Sequence, residues 1–242
     1  MDSYKSIEDI EKFTSKVKKN TCLAVIPARG GSKGIKDKNI KLLNNKPLVV
    51  YSIEIANSSD KIYQTVVTSD SNKILKISED FGAKTILRPS ELANDIVHPE
   101  PSIIHVLLES LSTDGFLPEC TLFLQPTSPI RSINYIENAI DDVLSGKFNS
   151  SIAGTKTHNF IWEKNKSSQW IAPYGDKRPR RQDFYQITET GSFYAFNTLK
   201  FLQKGDRIIQ PTNVVETDEI YSYEIDTLLE WEIMETLIQF NK

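Results

Sequence analysis

The chain has 242 residues, 39% of them hydrophobic and 25% charged, enough for one sizeable core with at most a small appendage. Ten glycines and eleven prolines exclude collagen-like and low-complexity classes. With 29 basic against 32 acidic residues and a net charge of -3, the chain lacks the basic excess expected of a nucleic-acid coat or a polybasic membrane adhesin.

No run approaches the roughly 20 apolar residues of a membrane span. Residues 1–20 carry charges throughout without an apolar h-region, so no secretory leader is expected there. Residues 3–19 space Ile7, Ile10, Phe13 and Val17 as an amphipathic helix that precedes the main fold. The apolar run 23–26, ended by Pro27, suits a strand buried on both faces. Residues 47–58 predict a helix through Leu48, Tyr51 and Ile55, and the β-branched run 63–68 a strand. Asp70 or Ser71 then caps a helix bearing Ile74, Leu75 and Phe81, closed by Gly82. Residues 84–87 predict a strand, 103–111 a helix and 121–125 a strand. A helix capped by Ser132, with Ile136, Ala139, Ile140 and Val143 along it, precedes a strand at 150–155.

This alternation predicts βαβ units and a mostly parallel sheet, with ligands beyond the carboxyl ends of the strands. The rhythm breaks between Thr155 and Arg181, where Trp162 to Trp170 reads as two short strands about a polar turn, followed by the basic run 177–181. Strand character returns at 193–196 and 220–225. Thr227 and Glu230 have capping-box spacing ahead of a last helix through Leu228, Trp231 and Ile238. Cys22 and Cys120 are too far apart for a Cys-x-x-Cys site. They suggest neither a disulfide framework nor zinc, which suits a reducing cytoplasm.

The sharpest chemical feature is Ile26-Pro27-Ala28-Arg29-Gly30-Gly31-Ser32-Lys33-Gly34, running on to Lys36, Lys38 and Asn39. Glycines after a strand end let backbone N–H groups converge on an anion, and Arg29, Lys33 and Lys38 add positive charge there, a pattern suited to a polyphosphate. It is not a Walker A loop, because Ile35 follows Gly34, and it does not match G-x-G-x-x-G. The competing reading is a surface turn with scattered lysines, and the density of glycine and cations directly after a buried strand weighs against it. Glu224 and Asp226 alternate along an extended segment and so face one side, where two hard oxygen ligands suit Mg²⁺. On position alone, a solvated acidic edge is the ordinary reading of that pair. His98, His105 and His158 have no metal spacing, and Trp162 and Trp170 read as packing residues.

The glycine segment resembles the N-terminal signature of the acylneuraminate cytidylyltransferases, the CMP-nonulosonate synthetases. Leu87-Arg88-Pro89-Ser90-Glu91-Leu92-Ala93, Leu124-Gln125-Pro126-Thr127-Ser128-Pro129-Ile130-Arg131, Arg181-Gln182-Asp183-Phe184, Glu189-Thr190-Gly191-Ser192-Phe193-Tyr194 and Tyr223-Glu224-Ile225-Asp226 resemble later segments of that family, in family order. The resemblance implies a three-layer αβα, Rossmann-like nucleotidyltransferase fold. Residues 1–20 would be a helical extension, and residues 21–242 the catalytic domain with an inserted β-rich dimerisation lobe at about 155–190. It implies a Mg²⁺-dependent reaction, with Mn²⁺ as an alternative, in which CTP and a nonulosonic sugar acid give the CMP-sugar and pyrophosphate.

By the same resemblance Arg29 and Lys38 hold the triphosphate beside Gly30, Gly31, Ser32 and Lys33, while Asn39 and Arg88 contact the nucleoside. Gln125 lies between nucleotide and sugar. Arg181 and Lys156 serve the sugar carboxylate, Tyr194 packs on the sugar, and Asp226 with Glu224 holds the metal. Glu224 stands where the family more often has Asp, which leaves direct ligation and ligation through water both open. No side chain declares itself as general base; a metal-bound hydroxide and the ionised sugar hydroxyl both stay open. A homodimer in the cytoplasm is implied, with neither nucleic acid nor membrane as partner. The rivals are the same reaction on legionaminic, pseudaminic or Kdo-like acid, a nucleotide-sugar glycosyltransferase, and a nucleotide-binding protein without turnover.

Overall fold

The computed structural model describes residues 11–32, 34–93 and 98–240. Its first elements are a short helix Glu11–Thr14 (α1) and the strand Val17–Pro27 (β1). In β1 the five consecutive residues Cys22 to Ile26 are all fully buried. Strand side chains alternate, so Cys22, Ala24 and Ile26 enter one apolar cluster and Leu23 and Val25 a second on the opposite face. A run that is apolar at every position is stable as a strand only when both faces are covered. Each fully buried aliphatic side chain then contributes about 1.5–3 kcal/mol.

A small hairpin follows, Leu42–Leu43 (β2) with Lys46–Pro47 (β3), turned through Asn44 and Asn45 at φ 46° and 65°. Then come Leu48–Asn57 (α2), Ile62–Ser69 (β4), Asn72–Asp80 (α3), Lys84–Leu87 (β5) and Glu100–Asp114 (α4). Leu117–Leu124 (β6), Ile133–Leu144 (α5) and Ser150–Thr157 (β7) complete the alternating part. The lobe holds Glu163–Lys164 (β8) and Trp170–Ile171 (β9). Gln186–Asn197 (β10), Thr198–Lys204 (α6), Thr212–Thr217 (β11) and Leu228–Phe240 (α7) end the described chain.

The main sheet has the order β11-β7-β10-β6-β1-β4-β5. β10 runs antiparallel to β6 and β7, and the other neighbours are parallel. Side chains of α2, α3 and α5 cover one face and those of α4 and α6 the other, giving three layers. A third cluster, with Ile35, Leu48, Ile130, Ile225, Trp231 and Met234, seats α7 against the loops at the carboxyl end of β1. The capping box forms: Glu230 Oε2 accepts from the Thr227 N–H at 2.7 Å, and Glu230 N donates to Thr227 Oγ1 at 3.3 Å.

The lobe is an outgrowth of the β7–β10 pair, which shifts register between Glu189 and Tyr194 and then continues out to Gln186 opposite Thr157. The two expected short strands pair antiparallel, Glu163 with Ile171 and Lys164 with Trp170. Beneath them Phe160 packs on Tyr174 and Phe184, with ring centroids 5.2 and 4.9 Å away. Arg178, from the basic run 177–181, lies with its guanidinium 4.5 Å above the Phe160 ring.

Three expectations need correction. The helix over 3–19 is cut short: Ile7 and Ile10 lie outside the described residues, α1 ends at Thr14, and Val17 already pairs with Leu117. Residues 17–20 therefore belong to the sheet rather than to an extension. Glu119 holds them there, accepting from the Lys19 ammonium at 2.5 Å and the Asn20 N–H at 2.8 Å. The strand expected at 220–225 is a 3-10 turn, Glu219–Ser222, followed by irregular chain. Here the apolar residues serve the third cluster, and the Ile225 N–H goes to the Thr127 carbonyl at 2.9 Å instead of to a strand. The edge strand β11 carried no apolar alternation in the sequence and emerges only through its pairing with β7.

Where β7 passes between β10 and β11, a Cβ on Gly154 would lie 2.5 Å from Ile187 Cγ2 and 2.6 Å from Val214 Cγ1. Gly154→Ala is therefore expected to destabilise the fold by about 1–3 kcal/mol through overpacking. The effect should be read as a lower urea midpoint with an unchanged m-value.

Candidate active site

The glycine bend begins where β1 leaves the sheet, and it is held from several directions. Ala28 N donates to the Thr68 carbonyl at 2.9 Å, and Gly30 N to Asp70 Oδ1 at 2.9 Å. Asn39 Nδ2 donates to the Arg29 carbonyl at 2.9 Å. A Cβ on Gly30 would sit 3.0 Å from Ser71 Cβ, so this glycine permits the bend to lie against the β4–α3 loop. Gly34 meets a different neighbour: a Cβ there would collide with the Asp226 carbonyl oxygen. The bend is thus packed against the last irregular segment of the chain before α7.

Lys38 fixes that contact. Its ammonium, with the side chain only 12% exposed, donates to the Ile225 carbonyl at 2.8 Å and to Asp226 Oδ1 at 3.0 Å. The Asp226 side chain is 71% exposed and remains open to solvent. Behind it Glu230 Oε2 accepts the Asp226 N–H at 2.8 Å. That bond, with those from Thr227, holds the Glu230 carboxyl below its usual range.

The cleft so formed has a volume of about 290 Å³. From the bend, Arg29, Ser32, Lys38 and Asn39 line it. Gln125 and Thr127 come from the carboxyl end of β6, Arg88 from the end of β5, and Glu224 and Asp226 from the C-terminal segment. Although 223–226 is not a strand, Ile225 is fully buried between the two carboxylates, so both still face the cleft. Glu224 Oε1 accepts the Gly191 N–H at 2.6 Å, and Gln125 Nε2 donates to the Gly191 carbonyl at 3.1 Å. Arg88 donates to Ser102 Oγ at 2.9 Å and lies 4.0 Å from Asp70. Burial lowers the pKa of its guanidinium despite that carboxylate.

The remaining candidates sit elsewhere. Lys33 lies outside the described residues. Gly30 and Gly31 do not line the cleft, and the Gly30 N–H is committed to Asp70 rather than open to an anion. Lys156 and Arg181 are on the lobe. Lys156 Nζ pairs with Glu216 at 2.7 Å, and the Arg181 carbonyl accepts from His158 Nδ1 at 3.0 Å. Tyr194 is 3% exposed and stands behind the cleft wall rather than on it, stacked on Phe123 at 5.6 Å with its hydroxyl donating to Glu189 at 2.8 Å.

Residue reading missed Asp70 as the holder of the bend, because a Ser-Asp pair after a strand reads equally well as a helix cap. It also missed His98, which lines the cleft.

Residues 23–160 match the family profile described as cytidylyltransferase. The chain belongs to the cytidylyltransferase family. Over 228 residues it is 31% identical to the N-acylneuraminate cytidylyltransferase of Escherichia coli O18:K1:H7, with 90% of this chain and 52% of that one covered. Over 233 residues it is 30% identical to the CMP-N,N'-diacetyllegionaminic acid synthase of Legionella pneumophila, with 91% and 97% covered. The chain therefore spans about half the length of the first relative and nearly all of the second. A CMP-2-keto-3-deoxy-manno-octonic acid synthetase, solved with CTP, shares the fold at a TM-score of 0.68 and 15% identity, covering 92% of this chain and 100% of that one.

In this cytidylyltransferase the contact between bend and C-terminal segment leaves no space at Gly34. Gly34→Ala is expected to push the Asp226 backbone off the Lys38 ammonium and lower turnover on the order of 10²-fold. Its unfolding midpoint should fall as well, because the clash is with backbone rather than with a side chain that can turn away. Steady-state rates and denaturant curves on the same preparations check both parts.

Proposed function

We propose that this cytidylyltransferase joins CTP to a nonulosonic, sialic-type acid, giving the CMP-sugar and pyrophosphate for surface-glycan synthesis. The observation that carries the reading is the meeting in one cleft of the cationic bend, Arg29, Ser32 and Lys38, with Gln125 and the carboxylates of Glu224 and Asp226. In such a transfer the C2 hydroxyl of the sugar acid attacks the α-phosphorus, the bond to the bridging oxygen breaks, and charge gathers on pyrophosphate. Positioning and charge stabilisation dominate this chemistry. Arg29 and Lys38 supply the cations. Lys38 is already fixed by two acceptors, so it need not reorganise as the charge develops. Arg88 and Asn39 take the nucleoside, and Gln125 stands between the two substrates.

The donor set fits a magnesium ion. Two hard carboxylates face one cleft, Lys38 and Gly191 occupy one oxygen of each, and the second oxygen of Asp226 and of Glu224 is available to a cation. Mg²⁺ characteristically takes one or two carboxylates and completes its shell with phosphate oxygens and water. When bound, the ion neutralises phosphate charge, and Mn²⁺ would accept the same oxygen donors. Asp226 is the more direct ligand, since the Glu224 arm is drawn toward Gly191.

A homodimer is part of the reading. Ile161, Trp162, Trp170 and Ile171 are about half exposed on the lobe, an apolar surface suited to a second copy. Lys156 and Arg181 lie on that lobe outside their own chain's cleft, where a neighbouring cleft could use them. The fully buried free thiols Cys22 and Cys120, side by side in register, fit a reducing cytoplasm.

The two relatives named above act, by their names, on different sugar acids at nearly equal identity, so the acid has to be found by assay. With CTP and Mg²⁺, a panel of N-acetylneuraminic, legionaminic, pseudaminic and Kdo-type acids is expected to give pyrophosphate release with at least one member. CTP binding without release from any acid would overturn the catalytic reading. Arg29→Ala should lower the rate on the order of 10³-fold, the scale of losing one charge-stabilising group, with the unfolding midpoint retained.

Asp226→Asn keeps an acceptor for Lys38 but loses the charge. It should raise the Mg²⁺ concentration needed for half-maximal rate roughly 10-fold or more, as loss of an anionic oxygen ligand implies. An unchanged Mg²⁺ titration would place the metal elsewhere.

A further inference from the structure

Arg131 follows the Gln125-to-Ile130 motif and reaches back beneath the cleft. Its Nε donates to the Ser192 carbonyl at 2.7 Å, its Nη1 to Ser52 Oγ at 3.0 Å, and its Nη2 to the Gln125 carbonyl. All three acceptors are uncharged oxygens. Burial of the guanidinium, opposed by the charge of Glu224, lowers its pKa to about 9. A buried cation bonded to neutral groups alone costs stability compared with an apolar side chain of similar volume. Plain packing between β6, α5 and β10 gives no reason for such a residue.

The geometry of its partners gives one. A guanidinium is a planar fork whose donors have fixed mutual angles, so three acceptors held by one fork are fixed relative to each other. Two of them are the carbonyls of Gln125 and Ser192. Gln125 carries its side-chain amide to the Gly191 carbonyl at 3.1 Å, and Gly191 carries its N–H to Glu224 Oε1 at 2.6 Å. There is no space in this chain of contacts for adjustment. A Cβ on Gly191 would lie 2.5 Å from both Gln125 Nε2 and Glu224 Oε1. The third acceptor, Ser52, is fully buried on α2 and ties the fork to the main core.

We propose that Arg131 is a positioning residue of the proposed transfer: without touching substrate, it sets the Gln125 side chain and, through Gly191, the Glu224 carboxylate. This rests on the cytidylyl-transfer reading for its kinetic consequence but not for its structural one. A lysine offers a single ammonium and cannot hold three divergent acceptors.

Arg131→Lys is therefore expected to lower kcat on the order of 10²-fold, as a small misplacement of reacting groups does. The KM for CTP should stay within about 2-fold, because Lys38 and Arg88 are held by partners other than Arg131. In Arg131→Ala, added guanidinium ion should restore part of the rate in a saturable way. Independently of turnover, hydrogen exchange at the Gly191 amide should speed up in Arg131→Lys, while exchange in the interior of β1 stays slow.

Loss of kcat with both guanidinium rescue and faster Gly191 exchange supports the proposal. A folded Arg131→Lys with wild-type kcat and unchanged Gly191 exchange overturns it, as does an equal change in every kinetic constant without rescue. If neither arginine variant folds, Ser52→Ala, which frees one arm of the fork, must show the same pattern at a few-fold amplitude, and its absence overturns the proposal. Should the wild-type protein itself release no pyrophosphate from any sugar acid, the transfer reading falls, while the exchange measurement still decides whether Arg131 sets Gly191 and Glu224.

Discussion

One ammonium joins the two ends of this fold. Lys38 enters from the loop that leaves the first long strand. It closes on the Ile225 carbonyl and the Asp226 carboxylate, 187 and 188 residues further along the chain. With most of its surface out of water, that ammonium cannot swing away without giving up the carbonyl of the fully buried Ile225. Three neighbouring features serve this contact. The glycine at 34 allows the approach, Ile225 buries between the two exposed-facing carboxylates, and Glu230 secures the turn into the last helix. The cations and carboxylates of the cleft thus have their separation set during folding.

The cleft is assembled by a division of labour between sheet and loops. The sheet supplies rigid strand ends, β1, β4, β5 and β6 side by side and parallel, so that Arg29, Asp70, Arg88 and Gln125 emerge near one another. Polar side chains then bind the loops to each other: Asp70 takes the Gly30 N–H, Asn39 the Arg29 carbonyl, and Arg131 the Gln125 and Ser192 carbonyls. These are individually modest interactions, but partly buried and mutually dependent ones, and such networks define a single arrangement better than their separate strengths suggest.

What could be read beforehand followed from burial and from motif. The alternating strands and helices from β1 to β7 were legible because parallel strands buried on two faces have no polar positions, and because Ser132 and the Thr227–Glu230 pair mark helix starts. The placement of Arg29, Lys38, Asn39, Arg88, Gln125 and Asp226 around one cleft was legible because each stands next to a strand end or in a recognisable segment.

The rest depended on contacts between residues distant in sequence. Val17 looked helical beside Phe13, and only Leu117, a hundred positions away, draws it into the sheet. Residues 220–225 looked extended, yet their apolar side chains answer to Trp231 and Met234. Gly30 looked like an anion donor, and Asp70 had already claimed its N–H. Tyr194 looked like a surface for the sugar, and Phe123 covers it.

The strand β10 begins at Gln186, inside the aromatic-packed lobe, and ends at Asn197 deep in the sheet, passing Gly191 on the way. It is a continuous beam with one end in each body. Its pairing with β7 loses register between Glu189 and Tyr194, beside the point where Glu224 and Gln125 grip it. The strand that leaves the lobe is thus the same strand whose Gly191 backbone is bonded to Gln125 and Glu224. Lobe and cleft wall are therefore two stretches of one backbone, separated by only a few residues.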